Sequence, residues 1–173
     1  VMEPDPSINN YRCKLSTGKL LGGGSSINGM MFIRGNSGDF DHWAELGNKG
    51  WSYTDVLPFF QKIEHTTIGS DQYHGRSGPL GVEYANPMLE VSSLFMKAAV
   101  ESGIPYNPDI NGESQEGVSP TPCSTYKGIR QSTALTYLKG ALKRKNLKVI
   151  TGALVQRIVF EDDTAVGVEY IRS

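Results

Sequence analysis

The residues best suited to chemistry in this sequence are glycines and serines rather than acids, bases or thiols. From Gly18 the chain reads Gly18-Lys19-Leu20-Leu21-Gly22-Gly23-Gly24-Ser25-Ser26-Ile27-Asn28-Gly29, followed by Met30-Met31-Phe32-Ile33. Adjacent glycines free the backbone of Cβ atoms, so a phosphate or a flat ring can approach it closely. Ser25 or Ser26 is placed to cap a short following helix, whose first N–H groups would face anionic oxygens. The spacing is neither GxGxxG after a strand nor GxxxxGK[ST], which excludes the Rossmann and Walker readings for this loop. Taken alone, the same residues serve equally well as a structural turn.

Other reactive side chains are scattered. His42 precedes Trp43 in an amphipathic segment, His65 stands at a helix end, and His74 falls in a Tyr-His-Gly turn. Each is expected to be structural or solvent-facing. His65, Asp71 and His74 are near in sequence, yet their spacing fits no metal motif. The pairs Asp39/Asp41 and Asp162/Asp163 lack the apolar setting that tunes a carboxyl for acid–base work, so they read as solvated turn residues. Cys13 and Cys123 fit no CxxC pattern. They are expected as free thiols of a reducing compartment, which favours the cytoplasm, with a disulfide left open.

A short helix and three longer ones must position these groups. Phe40, Trp43 and Leu46 advance in helical steps before Gly47, and Ser52-Tyr53-Thr54-Asp55 has the form of a capping box. Val56, Phe59, Phe60 and Ile63 then mark one apolar face, and Pro58 in the first turn puts the helix start near Asp55. Asn86-Pro87 reads as cap and first helical residue of a helix with Val91, Leu94, Phe95 and Ala98 buried, stopped by Gly103 and Pro105. Ser132 to Lys145 reads as the third helix, with Lys143-Arg144-Lys145 in its last turn, where cations are favoured. Leu80 to Tyr84, Leu147 to Ile150, Leu154 to Phe160 and Ala165 to Tyr170 are strand candidates, the last two joined as a hairpin through Glu161-Asp162-Asp163-Thr164.

Composition narrows the class. The 173 residues suffice for a buried core, and the formal net charge of -1 gives no footing for nucleic acid. No run approaches the roughly 18 apolar residues of a membrane span. The 20 glycines exceed the average share of about 7%. They do not recur every third residue, so they signal turns and close backbone approaches rather than collagen. Val1-Met2-Glu3-Pro4 reads neither as a translation start nor as a signal peptide.

The Gly18–Asn28 run keeps specific company: Phe32, Arg34-Gly35, Asp39, Asp41 and Trp43. It continues through Gly47-Asn48-Lys49-Gly50-Trp51-Ser52-Tyr53, Tyr73-His74-Gly75, Gly78-Pro79-Leu80, Gly112, Gln115-Glu116-Gly117, Arg130-Gln131-Ser132-Thr133-Ala134 and Asn146-Leu147-Lys148-Val149. This pattern resembles the glucose–methanol–choline (GMC) flavin oxidoreductases over essentially the whole chain, closest to the choline-dehydrogenase-like branch. The resemblance implies an FAD-dependent alcohol oxidase or dehydrogenase that passes a hydride from an alcohol to flavin N5 after a base takes the hydroxyl proton. It implies an α+β chain, a fragment of an α/β FAD-binding fold plus part of a substrate domain, with short helices and C-terminal strands. Residues 1–45 would be an FAD-binding segment, 46–128 a loop-rich substrate or cap region, and 129–173 a return to the FAD-binding domain.

By position, the resemblance gives Gly22 and Gly24 to cofactor contact and sets Asn28, Gly29, Met30 and Met31 along the flavin. It brings the Val155 main chain to the adenine, a role that backbone N–H and C=O groups can fill. Some family members tether the flavin through a His just before the Asn; Ile27 stands there, so non-covalent FAD is expected. The partner implied is a small alcohol, with the electron acceptor open. Two family features, the GxGxxG fingerprint and the catalytic His, do not occur in these residues. The chain thus reads as the middle of such an enzyme, inactive alone, or alternatively as a non-catalytic remnant acting in binding.

Overall fold

A computed structural model describes residues 3–172 as an α+β chain of two compact units, Val1–Lys139 and Gly140–Ser173. In the first unit the order is α1 (Ser37–Glu45), α2 (Tyr53–Ile63), β1 (Glu64–Thr66), β2 (Leu80–Tyr84) and α3 (Glu90–Glu101). Then come β3 (Pro122–Cys123), β4 (Thr125–Tyr126) and β5 (Ile129–Arg130). β2 lies between β1, which runs parallel to it, and β3, which runs antiparallel. The Phe32 N–H donates to the Pro122 carbonyl and the Ser124 N–H to the Met30 carbonyl, both at 2.8 Å, with Met31 bridging Cys123. The segment after the glycine loop is therefore zipped onto β3.

β4 and β5 form a hairpin whose turn residues, Lys127 and Gly128, have φ of 51° and 73°. Two positive φ values are the requirement of a type I′ turn, whose twist matches that of the strands. The Glu83 carboxylate on β2 accepts the Gly128 N–H at 2.9 Å and the Lys127 N–H at 3.1 Å. The Gly128 bond chiefly holds the Glu83 carboxyl below its ordinary pKa. Gly81 on β2 lets this hairpin close in, since a Cβ there would press on Tyr126 Cβ and the Thr125 carbonyl.

The helix expectations divide. The capping box forms at both ends, with the Asp55 N–H donating to Ser52 Oγ and the Ser52 N–H to Asp55. It starts α2 at Tyr53, two residues before the expected position, and leaves Pro58 inside the helix. A missing N–H at one position is tolerated because the cap, and not the proline, fixes the start. Phe60 packs against Phe40 of α1 at 5.7 Å, but Phe59 is 65% exposed, off the covered face.

Asn86-Pro87 does not open α3. It is a cis peptide in a bend, and the helix starts at Glu90 after Leu89, without a side-chain cap. Its expected buried stripe is open, with Val91, Leu94 and Ala98 exposed and Phe95 70% exposed. Periodicity identifies an apolar face, and it carries no information on whether another segment covers it. The third helix is also shorter than expected. Residues Ala134–Leu138 form a π-helical turn followed by Lys139–Ala141, while 142–146 are turns and loop. Gly140 weakens a helix there by about 1 kcal/mol relative to Ala. Lys143, Arg144 and Lys145 consequently lie outside any last helical turn. In the second unit Leu147 to Ile150 forms no strand, whereas β6 (Ala153–Glu161) and β7 (Thr164–Arg172) pair as the expected hairpin, with Glu161 opposite Thr164.

The centre of the first unit is polar. Among the described residues Ile68, Val82 and Pro122 are the buried apolar side chains, beside buried Arg34, Glu64, Thr66, His74, Asn107 and Asn111. Glu64 is 0% exposed. Its Oε1 accepts from Arg34 Nη2 at 2.6 Å and the Gly75 N–H at 2.9 Å, and meets His74 Nδ1 at 3.0 Å. The other His74 nitrogen lies 2.8 Å from Asp109 Oδ2. Asn111 accepts from the Arg34 N–H at 2.8 Å and donates to the Phe32 carbonyl at 2.9 Å. Glu64 Oε2 and Arg34 Nε have no hydrogen-bond partner among the described residues.

Burial by itself would raise the Glu64 pKa. Hydrogen bonds from His74 and the Gly75 N–H, with the Arg34 charge, outweigh it and leave the carboxyl below its ordinary 4.5. Burial by itself would lower the His74 pKa; hydrogen bonds to Glu64 and Asp109 outweigh it and leave the imidazole above its ordinary 6.5. The Glu64 contribution is therefore complete above 4.5 and lost as pH falls through its lowered value. That of His74 is complete below 6.5 and lost as pH rises through its raised value.

Unfolding measured across pH is expected to show greatest stability between those two values, with His74→Gln removing much of the alkaline decline. Glu64→Ala is expected to cost about 3–5 kcal/mol, the usual penalty for stripping one partner from a buried charge pair. A profile unchanged by His74→Gln would contradict the assignment.

Candidate functional site

Gly23–Ser26 fold as a single 3-10 turn, entered through Gly22 at φ +89°. That conformation suits glycine, and a Cβ at Gly22 would press on Ser26 Oγ and come within 3.3 Å of Ser132 and Ala134. Contrary to the expectation from the sequence, the two serines do not cap a following helix. They lie inside the turn, because the chain beyond it must extend to pair Met30–Phe32 with β3. Ser25 Oγ donates to the Gly22 carbonyl at 2.5 Å and Ser26 Oγ to the Leu21 carbonyl at 2.9 Å.

The loop is gripped by the end of β5 and the segment that follows it. Arg130 Nη1 donates to the Ser25 carbonyl at 3.2 Å, the Asn28 carbonyl at 2.8 Å and Asn28 Oδ1 at 2.9 Å. The Thr133 N–H donates to Ser25 Oγ at 2.9 Å, and Thr133 Oγ1 donates to the Gly22 carbonyl at 3.3 Å. The Met30 N–H, on a residue with φ +63°, donates to Asn28 Oδ1 at 3.1 Å. Four donor groups, from Arg130, Thr133 and Met30, thus hold a loop that has little side chain of its own.

Six of the sequence-predicted residues fall on this one stretch. Gly24, Asn28, Gly29 and Met31 are exposed, and Gly22 and Met30 are half-buried. A Cβ built at Gly23, Gly24 or Gly29 meets nothing within 4 Å, so the rim is bare backbone facing open space. A cavity of about 800 Å³ adjoins it, lined by Met30, Tyr84, Cys123, Thr125, Lys127 and Gly128, among others. The seventh, Val155, belongs to the second unit. It is exposed on β6 opposite Tyr170, next to a register shift that leaves Gln156 unpaired.

The other sequence candidates separate cleanly. His42 is exposed beside Glu45, and His65 packs its ring edge-on against Tyr126 at 5.6 Å. His74 is the buried one, already tied to Glu64 and Asp109. Among the described residues no His, Cys, Asp and Glu side chains gather in a metal-binding group. Asp41 accepts the Tyr53 N–H at 2.9 Å, joining α1 to α2, and Asp162 sits in the β6–β7 turn at φ 50°. Cys13 and Cys123 are both free, with burial raising the Cys123 thiol pKa. No helix among the described residues is long and apolar enough to cross a membrane.

Sequence reasoning gave no role to Arg130 and Thr133. They stand about a hundred residues beyond the loop they hold, and no local pattern spans that separation; their only signal was the Arg130-Gln131-Ser132-Thr133 match. The Arg34–Glu64–His74–Asp109 cluster was missed for the same reason.

The family profile described as GMC oxidoreductase matches residues 6–173, and the chain belongs to that family. It is 47% identical to an oxygen-dependent choline dehydrogenase of Pectobacterium carotovorum, over 98% of this chain and 31% of the relative. It is 44% identical to the enzyme of that description from Rhizobium johnstonii, over 99% of this chain and 31% of the relative. The chain therefore spans about a third of the length of these relatives. Among solved structures it superposes on an FAD-dependent oxidoreductase from Chaetomium thermophilum with a TM-score of 0.87 and 32% identity, covering 98% of this chain and 32% of that one. Pyridoxine 4-oxidase from Mesorbium loti gives a TM-score of 0.87 at 29% identity, covering 98% and 34%.

Ser25→Ala removes the hydroxyl that links Gly22 to Thr133. Amide hydrogen exchange at Ile27 and Asn28 is expected to speed by about tenfold, the worth of one to two hydrogen bonds, with β1 and β2 unaffected. Equal acceleration in both strands would show that the turn is not separately held.

Proposed function

We propose that this chain is the flavin-facing segment of an FAD-dependent oxidoreductase acting on the CH–OH group of a small alcohol. The observation that carries the reading is the bare rim of Gly24 and Gly29, open above and braced from below by Arg130, Thr133 and Ser25. A rim without Cβ atoms admits a flat ring or a phosphate to backbone distance. FAD when bound accepts the hydride, which is chemistry no side chain here can supply.

The roles proposed for the chain's own residues are binding and orientation. Gly22 and Gly24 contact the cofactor, and Asn28, Gly29, Met30 and Met31 lie along the flavin. Val155 offers main-chain N–H and C=O to the adenine from β6. Ile27 has no nucleophilic atom, so the flavin is held here without a covalent bond. None of His42, His65 and His74 is assigned to deprotonate the alcohol: the first two lie outside the rim, and the third is committed to two carboxylates. The alcohol substrate class is supported by the choline dehydrogenases and by pyridoxine 4-oxidase among the relatives and neighbours.

Titrating the chain with FAD and following flavin fluorescence is expected to give weak, reversible binding and no alcohol oxidation. Gly24→Val should abolish that binding without lowering thermal stability, because the added side chain enters empty space. Binding undiminished by Gly24→Val would contradict the reading of the rim. Stoichiometric FAD retained through gel filtration and reduced by an alcohol would contradict the assignment of binding without turnover.

A further inference from the structure

The amide of Asn28 has only one orientation that its neighbours allow. Two donors converge on one of its terminal atoms, Arg130 Nη1 at 2.9 Å and the Met30 N–H at 3.1 Å. A guanidinium and a backbone N–H can only donate, so that atom must be the carbonyl oxygen Oδ1 and never Nδ2. The orientation is thus dictated by chemistry. The Nδ2 group, with two N–H donors, belongs to an exposed residue and has no hydrogen-bond partner among the described residues.

We infer that Arg130 is a positioning residue that locks the Asn28 amide so that its Nδ2–H presents a donor to an acceptor atom of the flavin ring. The inference rests on the flavin reading above and deepens it. Arg130 is suited to the task because its fork is planar and always charged. It reaches Asn28 twice, at the main-chain carbonyl and at Oδ1, so backbone and side chain of one residue are fixed together. It acts from behind the rim, through Asn28.

The two halves of the interaction separate by substitution. Asn28→Asp keeps an acceptor for Arg130 and Met30, and so keeps the loop, but carries no N–H donor. Arg130→Met removes the lock and leaves the Asn28 donor free to turn.

The experiment is ¹⁵N NMR of the chain with and without FAD, following the Asn28 side-chain NH₂ signals and the amides of Gly22–Met31. In the wild type FAD is expected to shift both sets. In Arg130→Met the backbone amides should still respond at higher FAD, while the distinct Asn28 side-chain shift is lost. Asn28→Asp should leave the apo spectrum of the loop nearly unchanged and weaken FAD binding by about tenfold, the cost of facing an acceptor with no donor. An Asn28 side-chain shift that persists in Arg130→Met, or FAD affinity unchanged in Asn28→Asp, would overturn the positioning role while leaving the flavin reading intact. No response of any Gly22–Met31 signal to FAD in the wild type would overturn both.

Discussion

A single carboxylate oxygen, Glu64 Oε1, organises the first unit. A guanidinium, an imidazole and a backbone N–H all converge on it in a place closed to water. A charge so placed is costly unless partnered, and each partner brings a different part of the chain. Arg34 brings the extended segment that continues from the glycine loop, and Gly75 brings the turn before β2. His74 brings Asp109 and, next to it, Asn111. The backbone enforces the same convergence, since a Cβ at Gly75 or Gly78 would run into the main chain around Glu64. With so few buried hydrophobic side chains among the described residues, specificity here comes from satisfied polar geometry more than from apolar volume.

The site inherits its rigidity from that arrangement. Asn111 ties both Phe32 and Arg34, and Met30–Phe32 is zipped to β3, so the exit of the glycine loop is fixed by the same network. The β4–β5 hairpin leaves β3 and returns Arg130 and Thr133 to the entrance and underside of the loop. Glu83, by closing the Lys127-Gly128 turn, sets where that return ends. A loop of glycines would be the most flexible segment of a chain if left alone. Here it is pinned at Gly22, Ser25, Asn28 and Met30, and what it offers outward is backbone held still.

What the sequence made legible was local. The Ser52–Asp55 box, the Leu80–Tyr84 strand and the last hairpin, turning within Glu161–Thr164, depend on neighbouring residues, and each formed where its pattern placed it. The Gly22–Gly29 loop was recognisable from glycine density and its surroundings. What failed depended on partners distant in sequence. The α3 stripe has an apolar period but no cover among the described residues, and Ser25 and Ser26 look like caps until the pairing of Met30–Phe32 with β3 forbids a helix. His74 gives no sign from its spacing that Glu64 and Asp109 will both meet its ring. Arg130 and Ser25 are joined only by the fold.

We propose that the Gly22–Met31 rim faces the isoalloxazine of FAD. Photolabelling with FAD carrying an azide on that ring, followed by trypsin digestion and mass spectrometry, tests it most directly. The account predicts label on the peptide Leu20–Arg34, suppressed by excess unmodified FAD. Competable label confined to the α3 face around Leu94 and Phe95, with none on Leu20–Arg34, would contradict it.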